Sequence, residues 1–93
     1  MGEMRSVSWT TQFVRDVKRM RKRGKDLEKL KFLITKLAKR EPLSPKHRDY
    51  PLIGRWKNCR DCHIESDWIL IYSADFYSLH LERTGSHSDL FRK

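Results

Sequence analysis

Ninety-three residues, 38% hydrophobic and 35% charged, suffice for one folded domain (1–93) with a modest core, and leave little room for a second module. No apolar run approaches the roughly 20 residues that cross a bilayer, and the opening MGEMRSVSWTTQF has no apolar leader-like stretch, so the expectation is a cytoplasmic protein with no membrane partner. Twenty-one Lys and Arg against twelve Asp and Glu give a net charge of +9 and a pI near 9.9, which favours a polyanionic partner, nucleic acid or the ribosome first.

Arg5 to Trp9 reads as a short strand, and Thr10 or Thr11 can cap the helix that follows. Phe13, Val17 and Met20 recur at helical spacing with Val14 beside them, while Arg15, Asp16, Lys18 and Arg19 fall elsewhere on the cylinder. Gly24 is a natural stop. Seven basic residues between Arg15 and Lys25 make this end the densest positive patch, either a solvated face or a surface that tracks phosphates. Asp26 can cap a second helix, whose stripe of Leu27, Leu30, Ile34 and Leu37, widened by Leu33, is core. Two helices joined by a tight glycine turn predict an antiparallel hairpin. Pro42 and Pro45 end it and open a connection to about Gly54.

The remainder reads as strands. Arg55 to Ile64 alternates, with Trp56, Asn58, Arg60, Cys62 and Ile64 on one side and Lys57, Cys59, Asp61, His63 and Glu65 on the other. Cys59 and Cys62 therefore face opposite ways, and the C-R-D-C sequence reads as two ordinary thiols rather than a redox pair or half a zinc site. Trp68 to Ser73 is apolar on both faces, which suits a central strand. Ala74 and Asp75 allow a tight turn before Phe76 to Arg83, with Leu79 and Leu81 inward. Thr84-Gly85 breaks that run, and Ser86 to Phe91 is a short helix or a tail. The order β-α-α-β-β-β predicts an α+β fold, an antiparallel sheet of about four strands with the N-terminal helical hairpin packed on one face.

The polar residues able to do chemistry cluster in the second half: Asp61, His63, Asp67, Arg83 and His87. Asp61 and His63, two apart on a strand, share a face. As a set they suit RNA cleavage by its own 2′-hydroxyl, which yields a cyclic phosphate and a free 5′-hydroxyl. That reaction needs a base at the 2′-OH, an acid at the leaving oxygen and a cation at the phosphate. Imidazoles serve either proton-transfer role near neutral pH, and an arginine fork matches phosphate oxygens. Each residue alone has a blander reading, Arg83 for instance as an ion-pair partner of Glu65 or Asp67. Phe91 and the Trp and Tyr residues can stack an unpaired base. Asp61, Glu65 and Asp67 follow no metal-ligand spacing, and no Ser or Cys has a positioned His and Gly-rich elbow, so neither a metal nor a cofactor is expected.

Three segments carry a family resemblance: Tyr50-Pro51-Leu52-Ile53-Gly54-Arg55-Trp56-Lys57, then Arg60 to Tyr72 (RDCHIESDWILIY), then Glu82 to Phe91 (ERTGSHSDLF). Together they resemble the YafQ branch of the RelE/ParE toxin superfamily, with the helical hairpin similar in length and pattern. The resemblance implies a RelE-like fold and a type II toxin that cleaves mRNA in the A site of the 70S ribosome without a metal. It further implies silencing by a cognate antitoxin, and contact with operator DNA only through the toxin–antitoxin complex. Carried onto this chain, it places Asp61, His63, Asp67, His87 and Phe91 at the active site. His87 is a proton-transfer residue, Asp61 or His63 its counterpart, and Asp67 the orienting group. Arg83, Phe91, Tyr50 and Lys57 are substrate contacts. Tyr50 departs from the family, which carries His there. A phenol with an intrinsic pKa of roughly 10 is a poor base at pH 7, and His47 offers a substitute. Two rival readings are a ParE-like toxin that binds DNA gyrase without nuclease chemistry and a nonenzymatic basic nucleic-acid-binding module.

Overall fold

A computed structural model describes residues 3–91, so residues 1, 2, 92 and 93 of the expected domain lie outside the description. Strand β1 (Ser6–Trp9) leads into helix α1 (Thr11–Lys22), and helix α2 (Leu27–Ala38) completes the hairpin. The rest is β2 (Tyr50–Pro51), β3 (Arg60–Glu65), β4 (Trp68–Ala74), β5 (Ser78–Gly85) and a short helix α3 (His87–Phe91). Single-turn 3-10 helices at Pro45–His47 and Gly54–Trp56 punctuate the connection between α2 and β3.

Local chemistry fixes the helix ends as the sequence predicts. The Thr10 hydroxyl accepts from the Phe13 amide at 2.9 Å and donates to the Glu82 carbonyl at 2.8 Å, so one residue caps α1 and ties it to β5. Asp26 caps α2 by accepting from the Glu28 amide. Gly24 takes the positive φ of 84° that turns the chain between the helices.

The α+β plan holds, but the sheet is mixed and has five strands in the order β1-β5-β4-β3-β2. The helical hairpin carries the chain from β1 to the opposite edge, where the tiny β2 begins. The meander β2 to β5 then returns, reversing at each turn, and β5 ends beside β1 and parallel to it. A two-residue strand that contains Pro51 has no alternation to read, which is why the connection hides it. The third strand also starts later than its alternation suggests. Residues Gly54–Trp56 form a tight turn, and regular pairing begins at Arg60. At the other end β5 runs on through Thr84 and Gly85 instead of breaking there. The Thr84 hydroxyl accepts from the Trp68 indole at 2.9 Å and donates to the Ile69 carbonyl at 2.8 Å, which holds both residues in the sheet.

Two apolar layers result. Phe13, Met20, Leu30, Leu33 and Leu37 from the helices pack on Cys62, Ile64, Leu70, Leu79 and Leu81 of the sheet. On the opposite face Ile69 and Ile71 are covered by Leu90 of α3 and by Leu52, Trp56 and Cys59. Strand β4 is buried on both faces, as its unbroken apolar run requires. The two thiols fall on opposite layers, as the alternation predicts.

Candidate active site

The face opposite the helical hairpin carries the chemistry. Asp61 and His63 lie on β3 opposite Ile71 and Ile69, so their side chains leave the sheet on the side where α3 packs. Asp67 sits in the β3–β4 turn, and His87 opens α3, directly after β5. His87 and Phe91 are four apart and share one face of that helix.

These elements bring the predicted residues together. The His63 and His87 rings stand 5.6 Å apart between centroids, and Phe91 stands 6.1 Å from His87. At that separation, tilted 45° to each other, the rings lie within contact range and form one continuous imidazole surface. Asp67 accepts from the His87 backbone amide at 2.9 Å and from its Nδ1 at 2.6 Å. These two bonds, the backbone one first, hold the Asp67 carboxyl below the usual aspartate range. An ionised carboxylate only accepts, so Nδ1 carries the proton and Nε2 of His87 is left for a substrate.

His63 is held differently. Its Nδ1 is buried without a hydrogen-bond partner among the described residues, so no carboxylate fixes its tautomer. Its carbonyl accepts from Nδ1 of His47 at 2.8 Å, which pins the connecting loop against β3. Asp61 is only 9% exposed, and burial raises its pKa, opposed by the nearby His63 and His87. It therefore keeps its proton to higher pH than an exposed aspartate does. Tyr50 pairs across the sheet with Asp61, its ring largely exposed at the margin of the cluster.

Two predicted contacts stand apart. Arg83 directs Nε and Nη2 onto Asp16 of α1, at 2.7 and 3.1 Å, and pairs with neither Glu65 nor Asp67. Lys57 ends the Gly54–Trp56 turn, exposed, with no side-chain bond to the cluster among the described residues. The patch between Arg15 and Lys25 is partly consumed too. Arg19, Arg23 and Lys25 are paired with Asp16, Asp89 and Glu65.

The sequence reading missed the groups that secure this arrangement. Asp16, assigned to the polar side of α1, is fully buried. It accepts from Gln12, Arg19, Arg83 and the Thr84 amide. Asp89 accepts from the Ser86 amide while the Ser86 hydroxyl accepts from the Asp89 amide, a reciprocal cap on α3. Arg23 grips the same carboxylate with two bonds, at 2.7 and 3.0 Å. A Cβ on Gly85 would lie 2.9 Å from that of Asp89, so the approach requires glycine. The spacing Ser86-x-x-Asp89 was the available signal for the cap; nothing in the spacing announces Asp16.

Fold and face define a class, the bacterial toxins of type II toxin–antitoxin systems. Within it the chain belongs to the YafQ family: residues 5–92 match the family described as "Bacterial toxin of type II toxin-antitoxin system, YafQ". It is 47% identical to the mRNA interferase toxin YafQ of Escherichia coli strain K12, over 94% of this chain and 96% of that protein. The toxin of the E. coli DinJ-YafQ toxin-antitoxin complex superposes with a TM-score of 0.88 at 46% identity, covering 95% of this chain and 98% of that one. A metal-bound toxin from Helicobacter pylori superposes equally well, with a TM-score of 0.88 at 39% identity, covering 95% and 100%.

Proposed function

We propose that this protein is an endoribonuclease toxin that cuts mRNA in the ribosomal A site by metal-independent acid–base catalysis, and that a cognate antitoxin silences it. The observation that carries this reading is the imidazole pair, 5.6 Å apart, one ring fixed by a carboxylate and the other free of one. A phosphodiester placed against the two rings has one nitrogen for the 2′-hydroxyl and another group for the leaving 5′-oxygen. His87 transfers one proton through Nε2. Asp61 or His63 transfers the other, since both sit on β3 on the same face of the sheet as His87. Asp67 acts through His87 as a positioning residue, and Phe91 holds a base near the reacting bond. Arg83 reaches the phosphate only with what its grip on Asp16 leaves free. The 2′-hydroxyl attacks phosphorus, the bond to the 5′-oxygen breaks, and a 2′,3′-cyclic phosphate forms.

Primer extension on mRNA from cells expressing the chain tests this. Wild type is expected to give in-frame cuts within coding regions, and His87→Ala to reduce them by about 10²–10⁴-fold. Intact mRNA with a DNA-damage response would point instead to gyrase binding. Translating extracts treated with EDTA and refilled with magnesium alone should cleave as untreated extracts do. Dependence on a transition metal would overturn the metal-independent step.

A further inference from the structure

Beside the imidazole pair an open cleft of about 710 Å³ separates α2 from the loop that precedes β2. Phe32 lines it from α2, Lys46, His47 and Arg48 from the loop, and His63 from β3. His63 thus borders the cleft while its ring belongs to the reacting face, so the two sites adjoin along β3.

The cleft offers what single-stranded nucleic acid needs, an aromatic surface and unpaired cations. The Phe32 ring is 57% exposed, outside the apolar stripe of its own helix. Three acids also line the cleft, and two of them are occupied. Glu65 is taken by Lys25 and Lys29 at 2.8 and 2.9 Å, and Asp26 accepts from the first turn of α2. Lys46 and Arg48 form no ion pair among the described residues.

Arg48 adds an independent sign. Its φ of 45° lies in the left-handed region, which glycine adopts freely and arginine does not. Its exposed side chain makes no hydrogen bond or ion pair among the described residues, so its charge is open to a ligand. Residues held in such conformations concentrate where their side chains are used. The His47 bond to the His63 carbonyl keeps this strained turn against the catalytic strand.

We propose that the cleft is a second nucleotide subsite, in which Phe32 stacks a base flanking the scissile linkage and Lys46 and Arg48 contact the adjoining phosphates. The proposal rests on the nuclease reading above and extends it to the substrate beyond the cut.

The test is binding of a tetranucleotide RNA, 2′-O-methylated at every ribose so that it cannot be cut, to the full chain at several salt concentrations. Phe32→Ala and Arg48→Gly should each weaken binding at least about fivefold. Arg48→Gly should also flatten the dependence of log Kd on log salt by about 0.7, the contribution of one phosphate contact. At the same time its Tm should equal or exceed that of wild type, because glycine relieves the turn; a merely structural arginine would not separate the two readouts. Wild-type binding and salt slope in both variants would overturn the subsite, as would an acidic peptide losing affinity for Arg48→Gly while RNA does not. Uncut cellular mRNA alongside the expected binding losses would instead reject the nuclease reading and leave the subsite standing.

Discussion

Of the carboxylates that hold basic side chains in this molecule, Asp16 and Asp67 do so in opposite ways. In the seam between α1 and β5, Asp16 is fully buried and surrounded by donors from Gln12, Arg19, Arg83 and the Thr84 amide. On the open face Asp67 has a side chain 66% exposed and holds only His87, whose own side chain is 53% exposed. The first arrangement desolvates an ion pair and makes it part of the packing. The second fixes one nitrogen of an imidazole and leaves the other in solvent. A buried carboxylate is costly unless every lone pair is matched, so it suits a permanent joint. An exposed one adds little to stability and can be spent on orientation.

The comparison breaks most sharply at Asp16. Asp16→Ala strands Arg83 and Arg19 beside a hole, and chemical denaturation should show a loss of about 3–5 kcal/mol, enough to unfold a domain of this size at growth temperature. A variant that melts like wild type would remove Asp16 from the joint. Asp67→Ala is the counterpart on the open face. It should lower mRNA cleavage about ten- to a hundredfold through loss of His87 orientation, while the unfolding midpoint stays at the wild-type value. A large stability loss there would show that the two carboxylates are alike after all.

Asp89 lies between the extremes, with a side chain 13% exposed, and sharpens the contrast through pH. The Arg23 fork, followed by the Ser86 cap, holds its carboxyl far below the ordinary aspartate range. A depressed folded pKa means that the stabilisation is fully present above the unfolded value of about 4 and is lost as pH falls below it. Asp89→Asn should therefore be less stable than wild type by about 1 kcal/mol at pH 6. Thermal melts of the two should draw together as pH drops below 4. A gap that does not change with pH would mean that Arg23 does not stabilise the charged form.

Much of this was legible from local pattern. The caps at Thr10 and Asp26, the stripe from Leu27 to Leu37 and the doubly apolar β4 each follow from spacing within one element. So does the shared face of Asp61 and His63. The two-residue β2 and the turn at Gly54–Trp56 escaped because neither is long enough to show a period. Arg83 was read toward the substrate because its partner, Asp16, lies 67 positions away in the chain. The basic run from Arg15 to Lys25 promised a docking surface, yet three of its charges are spent on internal acids.

By itself the sequence determined the helical hairpin, the central strand, the strong positive charge and the identity of the groups able to move protons, since all of these depend on composition or on near neighbours. Only the tertiary structure decided that β1 runs parallel to β5, that His63 and His87 meet across 5.6 Å, and that Asp16 rather than a phosphate holds Arg83. Those outcomes turn on which distant surfaces the meander and the two helices bury against each other. That choice is made by the packing of the whole chain and leaves no periodic mark in any one part of it.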